Sequence, residues 1–284
     1  MSLDPGQPDD DDDDGDLPTA DPATPAAPGY ALFDLDHTLL PFDTQALFAN
    51  FVIRREPWRV VYLIWFLPCV PLAALRIVSL RWLKRLFCSY LWKMPKDRLA
   101  AHARDFAQTV LPRVVYPEVL VELRRHQKAG RLTVLNSASP GIYVAEIARV
   151  LGFDHWVATR LVWYEVMPFL PEIDGPNNKH EAKIDAMRHL LPSGFDPARG
   201  DRLPDSWGYS DSAADVPLLS ICEHAMMIHP SSRFAALGTE RRWWTLLPPR
   251  PYRGRWGGRL ASLLQACGLY RVRGDRTLDD LSAD

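Results

Sequence analysis

The 284-residue chain is 47% hydrophobic and 24% charged, the composition of an ordinary globular protein of one or two domains. Its four cysteines (Cys69, Cys88, Cys222 and Cys267) form no CxxC pair and have no histidine at zinc spacing, which argues against a disulfide scaffold or a structural zinc site and suits a reducing compartment. The net charge of -2 conceals an asymmetry: residues 1–29 hold nine aspartates and no lysine or arginine, leaving 33 basic against 26 acidic side chains in the other 255 residues.

Residues 1–29 include the run Asp9–Asp14 and six prolines, with almost no large apolar side chain. Such a segment buries too little surface to offset its ordering entropy and is expected to be disordered. It has neither the basic start nor the apolar stretch of a signal peptide, so a cytoplasmic location is expected.

Tyr30–Phe33 is a short apolar run ending in Asp34-Leu-Asp36-His-Thr38, the pattern of a buried strand that stops at polar residues. Roughly ninety residues separate it from a second strand at 131–135, far more than an ordinary connection. A helix over 118–129, stopped by Gly130, precedes that second strand. Ser206–Tyr209 and Ala225–Ile228 read as further strands, with a helical pattern over 215–221 between them. This alternation predicts an α/β fold, a Rossmann-like doubly wound parallel sheet interrupted by an inserted, mainly helical cap.

In such sheets chemistry gathers at the carboxyl ends of the strands. Asp34 and Asp36 stand at the first of these ends, where one carboxylate can act as nucleophile and the other as acid/base. Ser137 follows the second strand. Ser139-Pro140 then reads as the N-cap and first residue of a helix, whose free N–H groups suit a phosphate. Lys183 begins the helical pattern Ile184, Met187, Leu190, Leu191 and is expected at the pocket rim; Lys179, one turn earlier, competes for that role. Asp211 and Asp215, four apart at the start of a helix, face one way. Converging aspartates with so little basic compensation call for a divalent cation.

In this order the motifs Asp34-Leu-Asp36-His-Thr38, Ser137, Lys183 and Asp211-Ser-Ala-Ala-Asp215 resemble the haloacid dehalogenase superfamily, over the stretch 30–235. The resemblance implies that Asp34 attacks phosphorus and that Asp36 protonates the leaving alcohol and then activates water. It implies Mg2+ held by Asp34, Asp36 through its carbonyl, and Asp211. Ser137, Ala138 and Lys183 would hold the phosphoryl oxygens, with Asp215 and Thr38 in support. Many relatives carry glycine where this chain has His37, which is either a tolerated loop residue or a contact for the leaving group.

The insertion stands where the phosphoserine-phosphatase-like branch (subfamily IB) carries its cap. The expected division is therefore a tail at 1–29, a catalytic core at 30–43 and 115–235, a cap at 44–114, and a basic, aromatic extension at 236–284. Residues 60–75 carry no charge, are interrupted by Pro68 and Pro71, and are flanked by Arg54, Arg55 and Arg59 before and Arg76, Arg81, Lys84 and Arg85 after. That is too short for a span, and one crossing would part Asp34 from the later motifs. An in-plane or re-entrant element at the inner face of a membrane fits instead, continued by the basic amphipathic pattern of Leu80, Leu83, Leu86 and Phe87. The competing expectation is a cap helix packed in the core.

This layout is similar to that of membrane-associated phosphatases that act on phosphatidylglycerophosphate. The expected function is Mg2+-dependent phosphomonoester hydrolysis through an aspartyl-phosphate, on a lipid phosphate or alternatively on a small metabolite such as phosphoserine. A nucleic-acid partner is not expected, because no recognised fold carries the basic clusters.

Overall fold

The computed structural model describes residues 29–162, 164–175 and 181–283. The N-terminal tail and Lys179 therefore lie outside the described residues.

Seven strands form one sheet: β1 (Tyr30–Phe33), β2 (Leu132–Pro140), β3 (His155–Val162), β4 (Glu172–Asp174), β5 (Leu203–Ser210), β6 (Cys222–Ile228) and β7 (Trp244–Leu246), in the order β4-β3-β2-β1-β5-β6-β7. All neighbours are parallel except the β3–β4 hairpin. β1 is central and wholly buried, which is why its four residues are all apolar or aromatic instead of alternating with polar ones. Its odd and even residues serve different cores. Ala31 and Phe33 join Leu135, Tyr209 and the helices of the inserted region on one face, while Tyr30 and Leu32 join Val134, Leu203, Leu218 and Ile184 on the other. The expected doubly wound α/β sheet is present, with helical cover on both faces.

Chain order runs outward from β1 through β2 and β3, then returns to β5 on the other side. The crevice beyond the carboxyl ends of β1 and β5 is thus the topological switch point, where such sheets open to ligands. Asp34 and Asp211 directly follow these two strands.

Three local expectations need correcting. β2 runs through Ser139 to Pro140, so Ser139 does not cap the Gly141–Leu151 helix, whose N-cap is Pro140 with no side-chain bond. The boundary expected at 235 falls short of the last strand: β7 pairs with β6, and Ala261 and Leu281 beyond it belong to the main core. The strand expected at Ser206–Tyr209 begins three residues earlier, at Leu203, and runs to Ser210.

The uncharged stretch breaks at Pro68 into two short turns of helix, Leu63–Phe66 and Cys69–Ala74, the second carrying Pro71 in its first turn, after a 3-10 segment at Pro57–Tyr62. No helix among the described residues is long and apolar enough to cross a membrane. Leu63, Trp65 and Phe66 pack toward the core, and Trp65 donates to Ser89 Oγ at 2.7 Å. Ile64, Leu75 and Ile77 point outward and are 66–70% exposed. Arg59, counted among the flanking charges, is buried on Glu56 at 2.8 Å and on the carbonyls of Tyr90 and Trp92. Arg81 and Arg85 of the Leu80–Phe87 helix donate to the carbonyls of Ile173 and Pro171 beside β4, so these two charges fasten the insertion to the hairpin.

Candidate active site

Asp34 emerges from β1 with its backbone still in the sheet, its N–H donating to the Tyr209 carbonyl at 3.0 Å. Both carboxylate oxygens are then held: Oδ1 accepts from Lys183 Nζ at 2.6 Å and Oδ2 from the Thr38 hydroxyl at 3.1 Å. Thr38 Oγ1 accepts in turn from the Asp211 N–H at 3.0 Å, tying the loops after β1 and β5 together. The connecting residue His37 has φ +58°, a left-handed conformation that costs a non-glycine residue about 1–2 kcal/mol and explains why glycine suits this position.

Lys183, 2% exposed, also donates to Asp215 Oδ2 at 2.8 Å, and that oxygen accepts from Ser210 Oγ at 2.7 Å. Burial alone would lower the pKa of the ammonium, but the facing charges of Asp34 and Asp215 outweigh it and hold Lys183 above its ordinary value. Lys183 is thus a fixed cation within the pocket, more deeply set than the rim position expected.

Asp36 turns toward the insertion. Its Oδ1 accepts from the backbone and hydroxyl of Thr44 at 2.7 and 2.6 Å, and its Oδ2 from Ser139 Oγ at 2.6 Å. Thr44 opens the Thr44–Arg55 helix, which Asp43 caps by accepting from the N–H groups of Gln45 and Ala46. Sequence reasoning missed Thr44 and gave Ser139 to a cap; one chain carries no signal linking either to Asp36 across the fold. Ser137 is fully buried behind Ser139, its Oγ accepting from the Ser139 N–H, while Ala138 and Ser139 line the cavity.

The cavity encloses about 540 Å³. Asp34, Asp36, Lys183, Asp211 and Asp215 form its charged end, so the structure brings together most of the expected residues. Phe66, Leu80, Leu83 and Phe87 from the insertion make an apolar wall, with Lys84, Asp43 and Gln45 beside it and Ser262 from the Gly254–Ala266 helix. Lys84 reaches back to the Ala138 carbonyl.

Burial, reinforced by neighbouring carboxylates, pushes Asp34 up to about 7, against the opposing pull of Lys183. The same causes push Asp211 up to about 8. Four carboxyl groups around one ammonium resist ionising together, and a small hard dication among their oxygen donors would favour the ionised forms. No group of three or more His, Cys, Asp or Glu side chains among the described residues comes together as a metal cluster. Mg2+ needs only one or two carboxylates, with waters and phosphate oxygens completing its shell, so Asp34 and Asp211 fit it.

A family model for haloacid dehalogenase-like hydrolases matches residues 31–220. A probable phosphatase of Mycobacterium tuberculosis is 32% identical over 155 residues, covering 53% of this chain and 52% of that protein. The chain therefore spans about half the length of that relative. A histidinol-phosphatase of Neisseria meningitidis is 23% identical over 227 residues, covering 75% of this chain and 96% of the relative. Among solved structures, a protein of unknown function from Bordetella pertussis Tohama I superposes with TM-score 0.61 at 25% identity, covering 77% of this chain and 98% of its own. A phospho-aspartyl intermediate analogue of phosphoserine phosphatase shares the fold with TM-score 0.50 at 16% identity, over 78% and 94% of the two chains.

Proposed function

The chain belongs to the haloacid dehalogenase-like hydrolase family, and from that premise we propose that it is a phosphatase whose nucleophile is Asp34 and whose substrate carries an apolar leaving group, such as the lipid phosphate phosphatidylglycerophosphate. The observation that carries this reading is one cavity with the Asp34–Lys183–Asp215 cluster at one end and the apolar wall of Phe66, Leu80, Leu83 and Phe87 along its side.

In this reading an oxygen of Asp34 attacks phosphorus as the ester P–O bond breaks, and Asp36 passes its proton to the leaving alkoxide. Asp36, again a carboxylate, then takes a proton from water as that water attacks phosphorus. The P–O bond to Asp34 breaks and inorganic phosphate leaves. Lys183 neutralises and orients the phosphoryl oxygens beside Ala138, Ser137 acts from behind through its bond to the Ser139 N–H, and Asp215 and Thr38 fix the Lys183 and Asp34 that do this work. Phosphoryl transfer rewards such fixed in-line charge more than new covalent chemistry. Mg2+, held by Asp34, Asp211 and the Asp36 carbonyl, supplies charge neutralisation when bound.

A second reading keeps the chemistry and changes the substrate to a small phosphorylated metabolite. Two observations favour it. Asp43 and Lys84 put opposite charges in the cavity wall, the pair needed to read an amino acid's ammonium and carboxylate. The relative matched over 96% of its length is a histidinol-phosphatase. Phosphate release with Mg2+ from phosphatidylglycerophosphate in mixed micelles, against phosphoserine and histidinol phosphate in solution, decides between them. Preference for the lipid supports the first reading, preference for a soluble ester supports the second, and release from none of the three overturns both.

A further inference from the structure

The far end of the Thr44–Arg55 helix borders a second cavity, of about 500 Å³. Twelve residues of helix span about 18 Å, so the helix that holds Asp36 at its first residue presents Arg54 and Arg55 at its last, well away from the catalytic carboxylates. Arg113 and Arg271 line it too, with Asn50 and Thr109 as its neutral polar side chains. An adjoining cavity of about 310 Å³ shares Arg113 and adds Arg250, Arg273 and Arg276. No aspartate or glutamate lines either cavity among the described residues.

The fold imposes this juxtaposition. After the Gly254–Ala266 helix the chain is extended, and Tyr270 is pinned by a reciprocal pair of bonds with the Asn50 amide, at 3.1 and 3.0 Å. Val272 packs against the core, and Arg276 donates to the Val115 carbonyl at 3.3 Å. Between these anchors Arg271 and Arg273 flank Val272 and come beside Arg113. Arg54, Arg113, Arg271 and Arg273 form no ion pair among the described residues. Arg55 reaches Asp105 only at 3.8 Å and lies over the Phe51 ring. The Tyr116 hydroxyl, buried in the wall of the 310 Å³ cavity, makes no hydrogen bond of normal geometry among the described residues and lies beside the Arg250 guanidinium.

Arg54, Arg113, Arg250, Arg271 and Arg273 line the two adjoining cavities with no carboxylate among the described lining residues, and bidentate donors of this kind match phosphate oxygens. We propose that this arginine-lined groove binds a ligand carrying two or more closely spaced phosphate groups, at a site separate from the catalytic cavity. The proposal does not depend on the phosphatase reading, because none of its residues belongs to that machinery.

Calorimetry with sodium tripolyphosphate at low salt, on the full chain and on the triple variant Arg54→Gln/Arg113→Gln/Arg271→Gln, tests it. The variant is expected to bind at least about tenfold more weakly, as loss of multidentate charged contacts implies, while hydrolysing a small chromogenic phosphate within about twofold of the parent. The corresponding Arg→Lys triple keeps the charge without the bidentate fork and is expected to bind between the parent and the Gln triple, which separates lost charge from a lost fold. Co-sedimentation with vesicles containing cardiolipin, whose headgroup holds two phosphates on one glycerol, against phosphatidylcholine vesicles forms a second arm: loss in the Gln triple of vesicle binding alone assigns the ligand to a lipid headgroup, loss of tripolyphosphate binding alone to a soluble ligand. Binding of neither probe by the parent, or equal binding by parent and Gln triple, overturns the proposal.

Discussion

At the residue scale, the site works through side chains that fix other side chains. Asp34 is held at both oxygens and Lys183 at two carboxylates, so neither has rotational freedom to lose when a phosphate arrives. Asp34→Asn is expected to abolish phosphate release and leave the far-ultraviolet circular dichroism unchanged, because a carboxamide cannot become an acyl-phosphate; turnover near that of the parent would show the nucleophile to be misassigned. Ser139→Ala removes one of three hydrogen bonds to Asp36. It is expected to lower kcat by roughly 10-fold to 100-fold with little change in KM, since Asp36 would be misdirected with the phosphate site intact. An unchanged kcat would assign the bond to packing alone. That the aspartates and Lys183 gather at one cavity was legible in the sequence, because their spacing and strand context place them at the carboxyl ends of neighbouring strands and beside them. Ser139 was misread, because a serine before a proline has the same local pattern whether it caps a helix or holds a carboxylate 103 residues away.

At the element scale, the uncharged segment divides by direction. The side chains that the sequence marks equally as apolar split into Leu63, Trp65 and Phe66, packed inward, and Ile64, Leu75 and Ile77, facing outward. Replacing the outward three by serine is expected to weaken co-sedimentation with anionic vesicles severalfold while leaving hydrolysis of a small chromogenic phosphate unchanged; undiminished sedimentation would remove this surface from any membrane role.

The Pro117–Lys128 helix meets β5 through another buried device. Tyr209 Oη donates to Glu122 at 2.8 Å, so His126 Nε2–H donates to Tyr209 Oη at 2.7 Å, and His126 Nδ1 faces the Arg131 guanidinium at 3.4 Å. Burial, helped by Arg125 and Arg131, holds His126 down at about 4, neutral in the fold. Because the unfolded chain takes up that proton at an ordinary histidine pKa near 6.5, the contribution of His126 is present above that value and lost as pH falls from about 6.5 to 4. Thermal stability is expected to fall as pH drops through this window, and His126→Gln to flatten the slope; identical pH profiles would show that His126 does not control it.

On the scale of the whole molecule, the C-terminal fifty residues are part of the body. β7 extends the sheet, Ala261 and Leu281 enter the main core, Ser262 lines the catalytic cavity, and Arg271 and Arg273 line the arginine groove. Removing 236–284 is therefore expected to abolish cooperative thermal unfolding and soluble yield, since it strips a strand and part of a core on which marginal stability depends. A truncated chain that melts cooperatively at the parent temperature would restore the boundary at 235.

What the sequence determined by itself was the alternation of strands and helices, the candidate site aspartates and Lys183 that the fold brings to one cavity, and the presence of an insertion. These follow from period and local spacing, which a chain displays without being folded. Only the tertiary structure decided that Ser139 and Thr44 serve Asp36, that Leu80, Leu83 and Phe87 wall the catalytic cavity, and that arginines from three distant segments share one groove. Those pairings join residues far apart along the chain, and no local pattern encodes which side of an element will face them. Packing chooses that side, because a buried charge must meet its partner and an apolar face its cover.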